Sequence, residues 1–345
     1  MRNLSVASLL GLLALSVACR DRATTTEAID PTFGSSIDEV RFVVEDLGPG
    51  EARDLNAGGD VAGILTPSSG GPHPALWIGS TRTDLGLPAG AVEAEATGIN
   101  DARTIVGAAN AILGGSFGFV WRSGSFNTIP IPRATFVFPT DVNNAEEIVG
   151  MYVRAEGNRW HAFRYTDSGG FLDIHPVGSS YTDTFARAVS AAGVIAGDVV
   201  LANGEVHAAR WTASNGFSDL GLLPGGYRSS AYGINSAGTI VGIASTPTIS
   251  LAPFVWTPSR GMQSRPVEGQ AFDISDAGRI VGQRRSPTNA AATGFGGGAL
   301  VLLPTLPGTT ESLATAVNRC GSVVGILNMA GVHHAARWVI ASCDP

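Results

Sequence analysis

The chain repeats itself seven times. A polar anchor is followed seven residues later by glycine, and Ile or Val, or once Asp60-Val61-Ala62, fills the positions before that glycine. The anchors are Asn56, Asn100, Asn143, Ser190, Asn235, Ser275 and Asn318. The glycines are Gly63, Gly107, Gly150, Gly197, Gly242, Gly282 and Gly325. Successive anchors lie 44, 43, 47, 45, 40 and 43 residues apart, so the copies vary in length while the internal spacing does not. Such a chain must be built from one supersecondary unit used again and again.

The unit is legible around each anchor. In Gly233-Ile234-Asn235-Ser236-Ala237-Gly238-Thr239-Ile240-Val241-Gly242 an Asn and a Gly separate two apolar runs, which is the composition of a tight hairpin. An aromatic strand follows, as in His73 to Trp77, Phe119 to Trp121, His161 to Tyr165, His207 to Trp211, Phe254 to Trp256 and His334 to Trp338, and it sets five of the six Trp in one register. A short turn then leads to a fourth strand such as Thr83-Asp84-Leu85-Gly86 or Ser218-Asp219-Leu220-Gly221. Four short antiparallel strands per period of 40 to 47 residues predict an all-β, seven-bladed β-propeller. The sixth copy is degenerate. Its aromatic strand is expected within residues 292–299, around Phe295, with Gly296-Gly297-Gly298 in place of the Trp, and Leu302 to Gly308 restores the fourth strand.

The ends of the repeat predict a closed ring. The last copy stops after its third strand at Trp338, whereas Arg41 to Gly48 supplies an extra fourth strand ahead of the first copy, so the N-terminal strand completes blade seven. A co-variation points the same way: Arg164 and Arg210 precede their aromatics, and Asp173 and Asp219 follow nine residues later. A cross-strand charged pair is expected there, with Arg337 and Asp46 as its counterpart in blade seven and Asp84, facing Leu76, as the exception.

These motifs resemble the HAF-repeat family of probable extracellular proteins, whose repeat runs Asp-Leu-Gly, Gly-Ile-Asn, Gly-Ile-Val-Gly, His-Ala-Phe-x-Trp. They stand here as Asp219-Leu220-Gly221, Gly233-Ile234-Asn235, Ile240-Val241-Gly242, His161-Ala162-Phe163 and His207 to Trp211. The match runs from Arg41 to Ile340 and departs in blade six and in the His missing from blades two and five. The resemblance implies export and repetition and carries no catalytic residue.

The N-terminus reads as an export signal. Residues 1–18 join a basic start to a short apolar core and small residues before Cys19, a layout that resembles the lipobox of bacterial lipoproteins, although Ser16 stands where Leu, Val or Ile is usual. Lipidation of Cys19 and a flexible tether over 19–40, ahead of a propeller over 41–345, are therefore expected; plain cleavage after Ala18, leaving a secreted or periplasmic protein, is the alternative. A lipid-anchored protein of the outer membrane or cell surface would reach the bilayer through that lipid only. Cys320 and Cys343 are then free to form a disulfide in an oxidising compartment, the alternative being two separate thiols.

All 22 basic residues are Arg, against 29 acids, and the nearest thing to a basic run is Arg284-Arg285, which excludes a phosphate-tracking surface and hence nucleic acid. No His-Glu-x-x-His, P-loop or dinucleotide fingerprint occurs, and no catalytic residue, metal or cofactor is assigned. His73, His161, His207 and His334 share one register on the third strand; packing roles with a hydrogen bond fit them better than a metal ring, because that strand is far from the axis.

Loop parity places function. Turns between strands one and two and between three and four emerge on one side and are nearly constant. Loops between strands two and three and between blades emerge on the other side and vary. That face holds the candidate binding residues: Arg154, Glu156, Arg159 and Trp160 in blade three, Tyr181 and Asp183 before blade four, Tyr227 and Arg228 before blade five, and Arg284 and Arg285 in blade six. The expected role is binding of a protein or glycan. A propeller enzyme with carboxylates or a His at the axial mouth, and a purely structural envelope protein, are the alternatives.

Overall fold

The computed structural model describes residues 41–294 and 299–340. The signal and Cys19, the tether, Phe295, Gly296 to Gly298 and Cys343 lie outside the described residues.

Seven four-stranded antiparallel sheets form a β-propeller. Blade one consists of Glu51–Leu55, Val61–Leu65, His73–Ile78 and Thr81–Asp84, and the later blades repeat that order. The first strand of each blade touches the first strand of the next, and that of blade seven, Thr309–Val317, touches that of blade one, so these strands form the inner ring. Second strands such as Val61–Leu65 and Ile240–Ala244 are buried along their whole length. Neighbouring blades cover both of their faces, which is why they read as apolar runs rather than as alternating strands.

Closure follows the expected route. Phe42–Pro49 pairs antiparallel with Val332–Ile340, setting Phe42 against Ile340 and Asp46 against Ala336. Nε1 of the fully buried Trp77 donates to the Leu47 carbonyl and Nε1 of Trp338 to the Pro304 carbonyl. Each Trp thereby reaches the fourth-strand region of the preceding blade.

The fixed seven-residue interval has a steric cause. Every first strand carries a bulge two to four residues before the anchor, as between Ala52 and Asp54 or Ala314 and Ala316. The bulge turns the chain so that a carbonyl fills the space beside the second strand. A Cβ on Gly325 would lie 1.9 Å from the Leu313 carbonyl oxygen, and one on Gly63 2.0 Å from that of Glu51. Nothing larger than Gly fits there.

Two expectations are corrected. The repeated Asp pairs with the His of the third strand, not with the Arg of that strand. His73, His161, His207 and His334 place Nδ1 2.7–3.0 Å from Asp84, Asp173, Asp219 and Asp46. Phe163 faces Asp173 and Arg164 faces Leu172. Side chains alternate along a strand, so Arg164 and Asp173 lie on opposite faces, while His161 shares the face of Phe163 and reaches Asp173 diagonally. Arg164 pairs instead with Glu147, and Arg337 with Glu45. Asp84 ceases to be an exception. In blades two, five and six both partners are missing together: Phe117 and Thr128, Ala252 and Ser264, Ala290 and Leu302.

The third strand of blade six is Ala290–Thr293, so it starts before the expected residues 292–299. Gly294 occupies the Trp register, its N–H bonded to the Ile280 carbonyl.

Candidate functional site: the variable-loop face

The two sides of the ring are built differently. On the constant side each anchor Asn accepts, at Oδ1, the amide of the residue four ahead, as in Asp60 to Asn56 and Thr239 to Asn235. Its Nδ2 donates to the next anchor's carbonyl at 3.0–3.3 Å, from Asn56 to Asn100, Asn100 to Asn143, Asn143 to Ser190, Asn235 to Ser275 and Asn318 to Asn56. Ser190 and Ser275 cap their own turns through Oγ. This side is a hydrogen-bonded hoop that spends its polar groups on closure.

A second set of polar groups sits just inside the hoop, and sequence reasoning missed it. Asp54, Asp141 and Asp273 each precede an anchor by two residues. One carboxylate oxygen accepts the next amide of its own chain segment, and the other accepts an amide of the following blade: Ile99, Val189 and Val317 respectively. The following blade has Gly98, Ala188 or Ala316 at the same position. The signal was present as Asp-Leu-Asn, Asp-Val-Asn and Asp-Ile-Ser against Gly or Ala in the other copies. Burial pushes Asp141 up to about 6 against the pull of its two amides, and the Asp273 charge adds to the rise. Burial and the charges of Asp141 and Asp273 also hold Asp54 well above the carboxylate range.

The variable side departs from the repeat at almost every blade. Between blades one, two and three, at the loop ends of their inner strands, lies a cavity of about 220 Å³. Its walls are apolar at Ile64, Pro72, Ala108 and Phe138 and polar at Glu93, Glu95 and Asn110. Asn110 Nδ2 donates to Glu93 Oε1. Beside Glu95, Arg53 Nη2 lies 3.8 Å away and is held more closely, at 2.7 Å, by Glu51, whose other oxygen lies 2.7 Å from His333 Nδ1.

Exposed apolar residues flank the cavity lining in sequence. Leu113 is 98% exposed and Ile112 65%, at the tip of the second hairpin of blade two, with Val92 and Phe136 also exposed nearby. The Ile112 amide bonds the Gly90 carbonyl, and Gly115 lies against Thr135, so this tip sits over the boundary of blades two and three.

Around blades three to six the inner strands carry aromatics and arginine. Trp160 packs between Phe138 and Phe185, with centroids 5.8 and 6.2 Å away. Arg187 lies over Phe185 and over Tyr232, which leans on Phe272. Arg187 Nε donates to the buried Asp198 at 2.7 Å. Burial raises the Asp198 carboxyl above its ordinary value despite that partner.

The sequence candidates divide accordingly. Arg159 and the Trp160 amide both donate to the buried Asp183, which orders the loop. Tyr181 is half-buried, and Tyr227 is 58% exposed. Arg228 lies close enough to Asp198 to favour its ionised form. Glu156 forms an exposed pair with Arg133. Arg154 is taken up in a network with Tyr152 and Asp173, where His161 stacks on His175 at 4.0 Å. Burial and the neighbouring His161 lower His175. Arg284 donates to Thr288, and Arg285 is exposed across the ring from the cavity. The candidates thus fall at three places, and the Glu93 and Glu95 cavity was not among them. Among the described residues no group of His, Cys, Asp and Glu is arranged to hold a metal ion. Cys320 is disulfide-bonded.

No family model and no curated protein matches the chain. Solved structures match as folds. A prolyl endopeptidase aligns with TM-score 0.61 at 10% identity over 86% of this chain and 51% of its own, so the chain spans about half that protein. Oligogalacturonate lyase from Vibrio parahaemolyticus aligns with TM-score 0.58 at 9% identity, covering 88% of this chain and 97% of the lyase. YCF48 bound to D1 peptide aligns with TM-score 0.52 at 11% identity, covering 89% and 99%. At these identities the likeness is one of fold, shared by enzymes and a peptide-binding protein alike.

Proposed function

We propose that the protein is an exported, lipid-anchored propeller of the HAF-repeat kind that binds a protein or glycan on its variable-loop face. One contrast carries the reading: the constant face repeats the same turn and spends its polar groups on the hoop, whereas the cavity, the aromatic–arginine strip and the exposed Leu113 tip all lie on the variable side or the inner strands. A rigid ring with one non-repeating face is a scaffold for recognition.

The test is a set of glycan and peptide arrays probed with the intact protein and with Trp160→Ala, Glu93→Gln/Glu95→Gln and Asp276→Asn variants. Binding that the first two variants weaken and the constant-face Asp276→Asn leaves intact supports the reading. Binding lost only in Asp276→Asn, or none to either array, sinks it. Anchoring is tested separately by mass spectrometry of the mature chain, where an acylated Cys19 at the N-terminus is expected and a free Cys19 removes the anchor.

A hydrolase or lyase reading draws on Glu51, Glu93 and Glu95 at the loop ends of the inner strands, with the third-strand His333 2.7 Å from Glu51, polar groups of the sort such a site requires. Turnover of a bound array ligand, abolished by Glu51→Gln with binding retained, would support it.

A further inference from the structure

We infer that the cavity between blades one, two and three is a socket for a single cationic side chain, Arg or Lys, presented by a protein segment whose neighbouring apolar residues cover the Leu113 tip. The inference rests on the binding reading above and narrows it to a partner of stated chemistry.

Three features of the site converge. The volume of about 220 Å³ suits one long side chain rather than a sugar ring with its substituents or a whole peptide. Its lining is divided by chemistry: Ile64, Pro72, Ala108 and Phe138 present apolar surface to a methylene stem, and Glu93 and Glu95 present carboxylates to its head. The local charge is negative. Glu51, Glu93 and Glu95 face a single arginine, Arg53, which sits 2.7 Å from Glu51 and 3.8 Å from Glu95. Asn110 occupies one oxygen of Glu93 and fixes that carboxylate in place. A cation entering the cavity would therefore meet two oriented acceptors beside apolar walls, where a charge-assisted hydrogen bond is stronger than in open water.

The exposed apolar residues select a protein over a free amine. Leu113 and Ile112 stand three and two residues beyond the cavity's Asn110, Val92 directly before Glu93 and Phe136 two before Phe138, and exposed apolar residues so close in the chain to a charged socket fit a segment with aliphatic residues flanking its cation. Gly71 is part of the site's construction: a Cβ there would lie 2.6 Å from the Cβ of Glu93, so the loop can pack against the glutamate only as glycine.

The experiment uses the intact protein and the synthetic peptide acetyl-Leu-Leu-Arg-Leu-amide, titrated by NMR, against the same peptide with citrulline in place of Arg. Citrulline keeps the shape and removes the charge. Saturable binding of the Arg peptide, weakened at least tenfold by citrulline and at least tenfold by Glu93→Gln/Glu95→Gln, is expected; Leu113→Ser should weaken it several-fold. Glu205→Gln, on the same face in blade four and outside the cavity lining, should leave it unchanged, and unaltered melting curves show that the variants fold. Equal binding of the citrulline peptide, full binding by the double variant, or no saturable binding of the Arg peptide overturns the inference. If the Arg peptide fails to bind while array ligands bind in a Trp160-dependent way, the socket falls and the broader binding reading stands.

Discussion

His334 Nδ1 lies 3.0 Å from Asp46, across 288 residues of sequence, and the pair fastens the last strand of the ring to the first. The same carboxylate accepts the Gly48 amide, so it ends the closing strand in a turn as well as holding the His. The pair recurs within blades one, three and four, and only in blade seven does it join opposite ends of the chain.

Asp46→Ala should destabilise the protein by about 1–2 kcal/mol, because it removes the His334 bond and leaves the Gly48 amide without its acceptor. Urea unfolding followed by tryptophan fluorescence measures it. Asp84→Ala, which breaks the equivalent pair inside one blade, should cost the same or less, and a larger cost at Asp84 would contradict a closing role for Asp46.

Glycine substitutions separate close approach from turn geometry. Gly242→Ala puts a methyl 2.0 Å from the Ser230 carbonyl oxygen and should destabilise by roughly 3 kcal/mol or more. Gly238→Ala has open space but a φ of +75°, so about 1 kcal/mol is expected. Thermal melts of the two variants should differ in that order.

The hoop has two gaps, and filling one is testable. Ser190→Asn should add the Nδ2 bond to the Asn235 carbonyl that the other links possess, stabilising by about 0.5–1 kcal/mol. A fall in the melting temperature would show that blades four and five are too far apart for the bond.

Asp141 gives a pH signature with a definite sign. Its ordinary value is 3.8 and in the folded protein it is about 6, so the fold favours the protonated form. Its stabilising contribution is complete below about pH 4, declines as pH rises through about 6, and stays lost above that. Asp141→Asn removes the decline, so the stability of the variant relative to the unmodified protein should rise between about pH 4 and pH 7 by on the order of 1–3 kcal/mol. Denaturant melts at both ends of that range suffice; a pH-independent difference would place the raised group elsewhere.

Cysteine connectivity is open to peptide mapping. A non-reduced digest should yield Cys320 linked to Cys343, and reduction should separate the two fragments. Linkage of Cys320 to Cys19 would contradict lipidation.

Much of this was readable beforehand because each blade's identity is local. The anchor, the seven-residue interval and the Trp register lie within single copies, and the structure places them as the spacing requires. The His and Asp partners were equally visible as residues, but Arg also co-varied with Asp. Only the strand register, which sets Phe163 against Asp173, shows that Arg164 points to the other face. Blade six was misplaced because Gly294 removes the aromatic that marks the strand elsewhere.

The sequence by itself determined the architecture: seven copies, the hairpin at each anchor and the N-terminal strand that closes the ring, since these follow from short-range spacing and from the need to leave no sheet edge unpaired. The tertiary structure decided what the non-repeating residues do. Asp54, Asp141 and Asp273 are isolated acids until neighbouring blades supply their amides. Glu93 and Glu95 acquire a cavity only when the blades that carry Ile64, Pro72 and Phe138 come together. Contacts between blades join residues more than 20 positions apart whose partners no local pattern encodes, and the ring geometry alone brings them into reach.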